Sequence, residues 1–317
     1  MSERAHEGRA SGKVILFGEH AVVYGVPGLA AGIERGARAT AERTGSAHGS
    51  LRIGGKAHDP ESDLGRALAS LLAVEPALPA MDVEAFAEIP PGGGLGCSAA
   101  LGVAIARACE SAAGDQAPSP SLVYERGLAW ERVFHGNPSG IDTAAAALGT
   151  FLWFERGPGP KALTIPVDVW LAVGYSGSSS STKTMVEGLA RLKERKPEIV
   201  QKFLDGVTAI VKNAKLALDA GDERAVGQLM DMNQMLLAGV MMSTESIERM
   251  CSIARKAGAL GAKLTGSGGG GSVIALGGIA PPGAASSPAE QRARTIAEAF
   301  TAEGYAAFAT RIAGHSA

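Results

Sequence analysis

Pro90-Pro91-Gly92-Gly93-Gly94-Leu95-Gly96-Cys97-Ser98-Ala99-Ala100 is the stretch on which the reading of this chain turns. Before it, residues 82–89 alternate Val83, Ala85, Ala87 and Ile89 with acidic positions, the pattern of a half-exposed strand. After it, Ala99 to Ala113 is alanine-rich and helical in pattern, with Gly114 placed to end the helix. A glycine loop between strand and helix can turn its backbone N–H groups inward into an anion site, and the helix adds the positive end of its dipole. Ser98 falls in the first turn, where a hydroxyl can face phosphate or a phosphate-bound magnesium ion. No lysine precedes Ser98, so this is not the GxxxxGK[ST] P-loop, and it is not a Rossmann fingerprint either. Glycine content alone leaves a phosphate loop and a ligand-free tight turn equally open.

Outward from the loop, Lys13 to Phe17 is a short apolar run between glycines and reads as a buried strand. Further strands are expected over 37–43, 50–53, 150–155 and 167–173. Ser62 to Val74 has helical spacing with Ser62 as N-cap, and helices are expected over 121–134 and 140–147. The second half is more helical, over 182–193, 197–218, 223–241 and 244–257. Then come a strand (262–265), a glycine loop (266–271) and a strand (272–276). Residues 277–288 read as a Pro/Gly/Ser/Ala linker or exposed loop, followed by a helix (289–302) and a closing strand (305–312). The division falls near residue 165, with an α/β first half and an α+β second half.

The 317 residues suffice for about two domains, and 46% apolar content fits a globular chain. With 30 basic against 32 acidic residues there is no positive excess for a nucleic-acid partner. Cys97, Cys109 and Cys251 form no CxxC or Cys/His cluster, so neither disulfides nor zinc are expected, and a reducing compartment is. Residues 1–10 lack the apolar core of a signal peptide, and no run of about 18 apolar residues suggests a membrane span. A soluble cytoplasmic protein is expected.

PPGGGLGCSAA resembles the ATP-binding motif of the GHMP kinases, and two other segments resemble motifs of that family in the expected order. GKVILFGEHAVVYG (Gly12 to Gly25) looks like the first motif and KLTGSGGGGSVIAL (Lys263 to Leu276) like the third. The resemblance implies a two-domain α+β fold: an ATP-binding α/β domain with a mixed sheet over 1–165, and a helix-rich, ferredoxin-like α+β domain over 166–317. Finer details are similar to the mevalonate kinase branch. Ala21-Val22-Val23-Tyr24 follows Gly-Glu-His where galactokinases carry Asp-Tyr-Asn, and Glu131 to Asp142 (ERVFHGNPSGID) and Asp231-Met232-Asn233-Gln234 also match that branch. The implied reaction is ATP plus mevalonate giving ADP plus 5-phosphomevalonate, an early step toward isoprenoids. Another GHMP kinase, acting on phosphomevalonate, homoserine or a sugar, is the alternative. A catalytically silent binding protein of this fold would be expected to lose Lys13 or Asp142, and both stand.

The resemblance also implies roles. Asp142 takes or orients the proton of the attacking hydroxyl, and Lys13 pairs with it; otherwise Asp142 would be a helix N-cap and Lys13 solvent-facing. Pro91, Gly92, Gly93, Gly94, Leu95, Gly96, Cys97, Ser98 and Ala99 bind ATP. Ser98 and Glu131 are the implied Mg2+ ligands, the alternative for Glu131 being an exposed helix charge. Glu19 and His20 face the acceptor, with His20 donating to a ligand oxygen and Glu19 binding Lys13 or a hydroxyl. Thr182, Gly266, Ser267 and Gly268 lie near substrate, although 178–181 also reads as a polar loop with a helix cap. Cys97 stands where many relatives have Ser and would make the protein sensitive to thiol reagents. A homodimer is expected.

Overall fold

The computed structural model describes residues 6–45, 49–114, 118–136, 138–178, 180–284 and 286–314. The chain forms two compact units. The first takes the chain up to Lys13, Arg35–Pro91 and Gly96–Gly149; the second takes Val14–Glu34, Gly92–Leu95 and the chain from Thr150 onward. Two long strands, β1 (His6–Phe17) and β2 (Gly28–Arg43), therefore contribute to both.

In the first unit, β2 pairs with β1 and, antiparallel, with β5 (Met81–Ala87), Ala37 opposite Ala87 and Arg43 opposite Met81. β5 pairs in parallel with β3 (Ser50–Ile53), which forms a hairpin with β4 (Lys56–His58). The predicted alternation of β5 holds at Val83 and Ala85, which are buried with Met81 against the helices while Asp82 is exposed, but it fails at the strand's last residue, Ala87, which is exposed. Ser62 caps α1 (Asp63–Leu72) by accepting from Gly65 N–H, and Gly114 ends α2 (Cys97–Ala113) in the left-handed conformation. α3 (Pro120–His135) and α4 (Ile141–Leu148) complete the layer. The helices cross closely because glycine replaces side chains at the crossings. A Cβ on Gly102 would lie 2.6 Å from the Trp130 ring, and one on Gly127 would lie 2.8 Å from both Val103 and Thr143. That approach brings the start of α2, the last turns of α3 and the start of α4 together. α3 is also pinned by Arg126, which is fully buried, pairs with Glu110 and donates to the carbonyls of Leu71, Val74 and Pro76.

In the second unit, the first residues of β2 pair with β6 (Phe151–Glu155), which pairs with β7 (Gly159–Ala162). A separate antiparallel sheet has β8 (Asp168–Tyr175), β9 (Ala262–Thr265), β10 (Ser272–Ala280) and β11 (Ala306–Ile312) in the order β11-β8-β10-β9. Helices α5 (Thr182–Arg195), α6 (Pro197–Asp219), α7 (Glu223–Gly239) and α8 (Glu245–Lys256) lie between β8 and β9 in sequence, and α9 (Pro288–Ala302) lies between β10 and β11. This is the ferredoxin-like arrangement expected for the second half.

The linker expected over 277–288 is a correction. β10 continues to Ala280, with a register shift between Leu276 and Gly278. Glycine stands at 277 because α9 lies directly on the strand: a Cβ there would meet the Ala289 carbonyl at 2.6 Å and the Ala293 methyl at 2.7 Å. Strands β4 and β7 and the short 3-10 turn Ala21–Tyr24 were not anticipated either.

Candidate active site

In the first unit, Lys13 and Asp142 meet: the Lys13 ammonium lies 3.0 Å from the Asp142 carboxylate. Lys13 is buried, contrary to the ordinary behaviour of a lysine in a short strand, while Asp142 is about two-fifths exposed. Asp142 is not the cap of α4. Gly140 occupies that position, and Asp142 sits in the first turn, where the helix dipole favours its charge. Gly96, the left-handed residue that opens α2, lies against this pair; a Cβ on it would come within 3.1 Å of the Lys13 Cβ and 3.9 Å of the Asp142 Cβ.

Beside them, the Ser98 hydroxyl donates to Glu131 at 2.5 Å and accepts from the Trp130 indole at 3.3 Å. The indole thus orients the hydroxyl. Glu131 is buried, so it is not an exposed helix charge. Burial pushes its carboxyl up from the ordinary range; the Ser98 hydroxyl pulls the other way and the Asp142 charge adds to the rise. A buried carboxylate next to a hydroxyl is an all-oxygen donor set of the kind magnesium takes. Among the described residues no group of three or more His, Cys, Asp or Glu could hold a metal ion. Ser98 and Glu131 therefore fit an ion held mainly by phosphate and water. Asn137, within the Glu131–Asp142 segment, lies outside the described residues.

Cys97 is the first residue of α2. It is partly buried, and burial together with the Glu131 charge pushes its thiol up to about 11, away from the reactive thiolate.

In the second unit, residues 92–95 of the first glycine loop pack on the second glycine loop. Ser272 donates to the Gly93 carbonyl at 2.8 Å, and a Cβ on Gly94 would lie 3.2 Å from the Thr265 carbonyl. Gly92 and Gly94 are left-handed, as are Gly266 and Gly268 through Gly271. The polar segment after β8 bonds to the same loop, through Gly271 N–H to Ser178 and the Ser180 hydroxyl to Gly269. Ser181 caps α5, which leaves Thr182 exposed at its first position. Ser179 lies outside the described residues.

Glu19 lies in the second unit as well. Its buried carboxylate forms an ion pair with Lys263, which is wholly buried. His20 Nε2 lies 2.7 Å from the Ser267 carbonyl. A carbonyl can only accept, so Nε2 carries the proton and Nδ1 is left as an acceptor. Burial lowers the His20 pKa, which keeps the ring neutral. The donation expected of His20 is thus spent inside the protein. Asp231 and Gln234 hold β9 by its edge, accepting from the N–H groups of Ala262 at 3.0 Å and Leu264 at 2.9 Å.

Two family models match the chain: "GHMP kinases N terminal domain" over residues 64–150 and "GHMP kinases C terminal" over 214–306. Mevalonate kinase of Pyrococcus horikoshii is 36% identical, the match covering 84% of this chain and 87% of that one. The chain belongs to the mevalonate kinase family of GHMP kinases. Mevalonate kinase of Thermococcus sibiricus is 35% identical with the same coverage. The solved structure of the L. major mevalonate kinase in complex with R-mevalonate superposes with a TM-score of 0.83 at 27% identity, over 100% of this chain and 98% of that one. The two-domain GHMP kinase fold expected from the motifs is thereby shown. Sequence reasoning missed Lys263 as the partner of Glu19 and Trp130 as the partner of Ser98. Lys263 did carry a signal, a lysine inside an apolar strand; Trp130 carried none.

Proposed function

We propose that this kinase transfers the γ-phosphoryl group of ATP to the primary hydroxyl of mevalonate, giving ADP and 5-phosphomevalonate. The observation that carries the reading is the Lys13–Asp142 pair set against Gly96, at the end of the glycine loop and beside Ser98 and Glu131. The attacking oxygen bonds to the γ-phosphorus as the bond to the ADP oxygen breaks, and Asp142 accepts the hydroxyl proton on its open side. Lys13 holds Asp142 from the buried side and places positive charge where phosphoryl charge shifts. The loop from Pro91 to Ala99 binds the phosphates through backbone N–H groups and the start of α2. Ser98 and Glu131 would hold Mg2+, which when bound neutralises phosphate oxygens.

In the second unit, His20 accepts a hydrogen bond from an acceptor hydroxyl at Nδ1. Glu19, Thr182, Gly266, Ser267 and Gly268 are the other residues proposed for the substrate side. The same proposal includes a cytoplasmic location, a homodimeric state and a division of labour between residues 1–165 and 166–317. Among the described residues no helix is long and apolar enough to cross a membrane.

The test is ATP turnover by the full chain with mevalonate, phosphomevalonate, homoserine and galactose in separate reactions. Mevalonate should be strongly preferred. No turnover of mevalonate with strong turnover of another acceptor overturns the reading.

A further inference from the structure

We propose that Lys263 is a positioning residue for acceptor binding: it fixes Glu19 and, through it, the strained turn that presents His20. The proposal rests on the reading that Glu19 and His20 meet the acceptor.

Three residues in a row of alternating positions grip one short segment. Lys263 pairs with the Glu19 carboxylate. The Thr265 hydroxyl accepts from Ile15 N–H at 2.8 Å and donates to the Ile15 carbonyl at 3.1 Å. The Ser267 carbonyl accepts from His20 at 2.7 Å. Residues two apart on a strand share a face, so Lys263 and Thr265 both point at the segment 15–20, and the chain beyond them supplies Ser267.

What this grip holds is unfavourable on its own. His20 has φ of 62°, in the left-handed region that residues with a side chain rarely occupy. Such a conformation persists only where its surroundings over-determine it. Glu19, the residue before it, is anchored by an ion pair with no exposure on either side chain. Lys263 also donates to the Leu264 carbonyl at 2.6 Å, and β9 is itself fixed between β10 and the side chains of α7.

Burying an ion pair gains little stability over an apolar pair of the same volume, because desolvation offsets the attraction. Orientation is what a buried pair supplies and an apolar pair does not. Having no exposed surface, Lys263 is not itself a ligand to ATP or acceptor. Its influence passes through Glu19.

The experiment compares Lys263→Met, Glu19→Gln, the double variant Glu19→Gln/Lys263→Met and His20→Ala in the full chain. It reads KM for mevalonate, KM for ATP and the thermal midpoint. Lys263→Met should raise the mevalonate KM about tenfold while the ATP KM stays within about twofold. Equal changes in both constants, or a mevalonate KM within about twofold of wild type in a folded variant, overturn the proposal.

Lys263→Met removes this buried partner of Glu19 and can fail to fold. The double variant removes both charges of this pair and is then read against Glu19→Gln. A lysine acting only through Glu19 adds nothing once Glu19 is neutral, so equal mevalonate KM values support the proposal. A further rise of more than about threefold in the double variant overturns it. His20→Ala separates the two failures. If it leaves the mevalonate KM unchanged, the acceptor reading of this turn is wrong; if it raises that KM and Lys263→Met does not, only the positioning role is wrong.

Discussion

The Lys13 ammonium and the Asp142 carboxylate stand 3.0 Å apart, with the lysine side chain 6% exposed and the aspartate 39%. The asymmetry divides the work. Lys13 fills the protein side of the pair, so the outer face of Asp142 is open to a hydroxyl. Gly96 packs on both residues, which ties the pair to the end of the first glycine loop.

Asp142→Asn keeps the shape and removes the proton acceptor. It should lower kcat by about a thousandfold, within the range for loss of general base catalysis. ATP should still bind with affinity within about threefold of wild type. Steady-state kinetics and nucleotide titration check both; near-normal turnover removes Asp142 from the mechanism.

Glu131→Gln keeps an acceptor for the Ser98 hydroxyl but removes the buried charge. The magnesium concentration for half-maximal activity should rise about tenfold. The thermal midpoint should not fall, because the variant no longer buries a carboxyl that desolvation disfavours in its charged form. A magnesium titration of activity is the check, and an unchanged half-maximal magnesium concentration excludes Glu131 as a ligand.

His20 gives a pH dependence with a definite sign. Its pKa is lowered from 6.5 in the folded protein, chiefly by burial. Below 6.5 the unfolded chain therefore binds more protons at this site than the folded one. The stability of the neutral ring is fully present above 6.5 and is lost as pH falls through the lower folded value. Relative to His20→Gln, the wild type should lose urea resistance between pH 7.5 and pH 5.5, and the difference should be flat between pH 7.5 and pH 8.5. A wild-type advantage that grows as the pH drops would contradict the lowered value.

Cys97, with its thiol pushed from 9.0 up to about 11, should carry about a hundredfold less thiolate at neutral pH than the unperturbed group. Alkylation at pH 7.5 should be correspondingly slow, with or without ATP, and Cys97→Ser should keep most of the activity. Mass-spectrometric labelling of Cys97 against a free thiol control measures this. Rapid labelling at Cys97 would show that the residue is not held as the structure has it.

Much of the local structure was legible because its causes are local. Ser62 and Thr244 cap helices by bonding to N–H groups three residues on, and Gly114 ends α2 through its own φ. The periods of α6 and α9 mark helices whatever they pack against. Gly277 was misread for the opposite reason. Nothing in its neighbours distinguishes a glycine in a loop from one in a strand, and what demands glycine there is α9, lying on the strand after an intervening loop. Lys263 as a partner of Glu19 was missed for a similar reason, since only packing brings two residues so far apart in the chain together.

The sequence by itself determined the order of the motifs, the family they resemble, and the candidate site residues: the glycines of two loops, Lys13 and Asp142, Ser98 and Glu131. Tertiary structure alone decided which of these meet and in what state. Lys13 closes on Asp142, Lys263 pairs with Glu19, and the Ser267 carbonyl accepts a hydrogen bond from His20. Those pairings span long stretches of chain, and the buried groups in them must find partners or stay out of the interior. Which partner each one finds is set by how the strands and helices pack, a property no short stretch of residues carries.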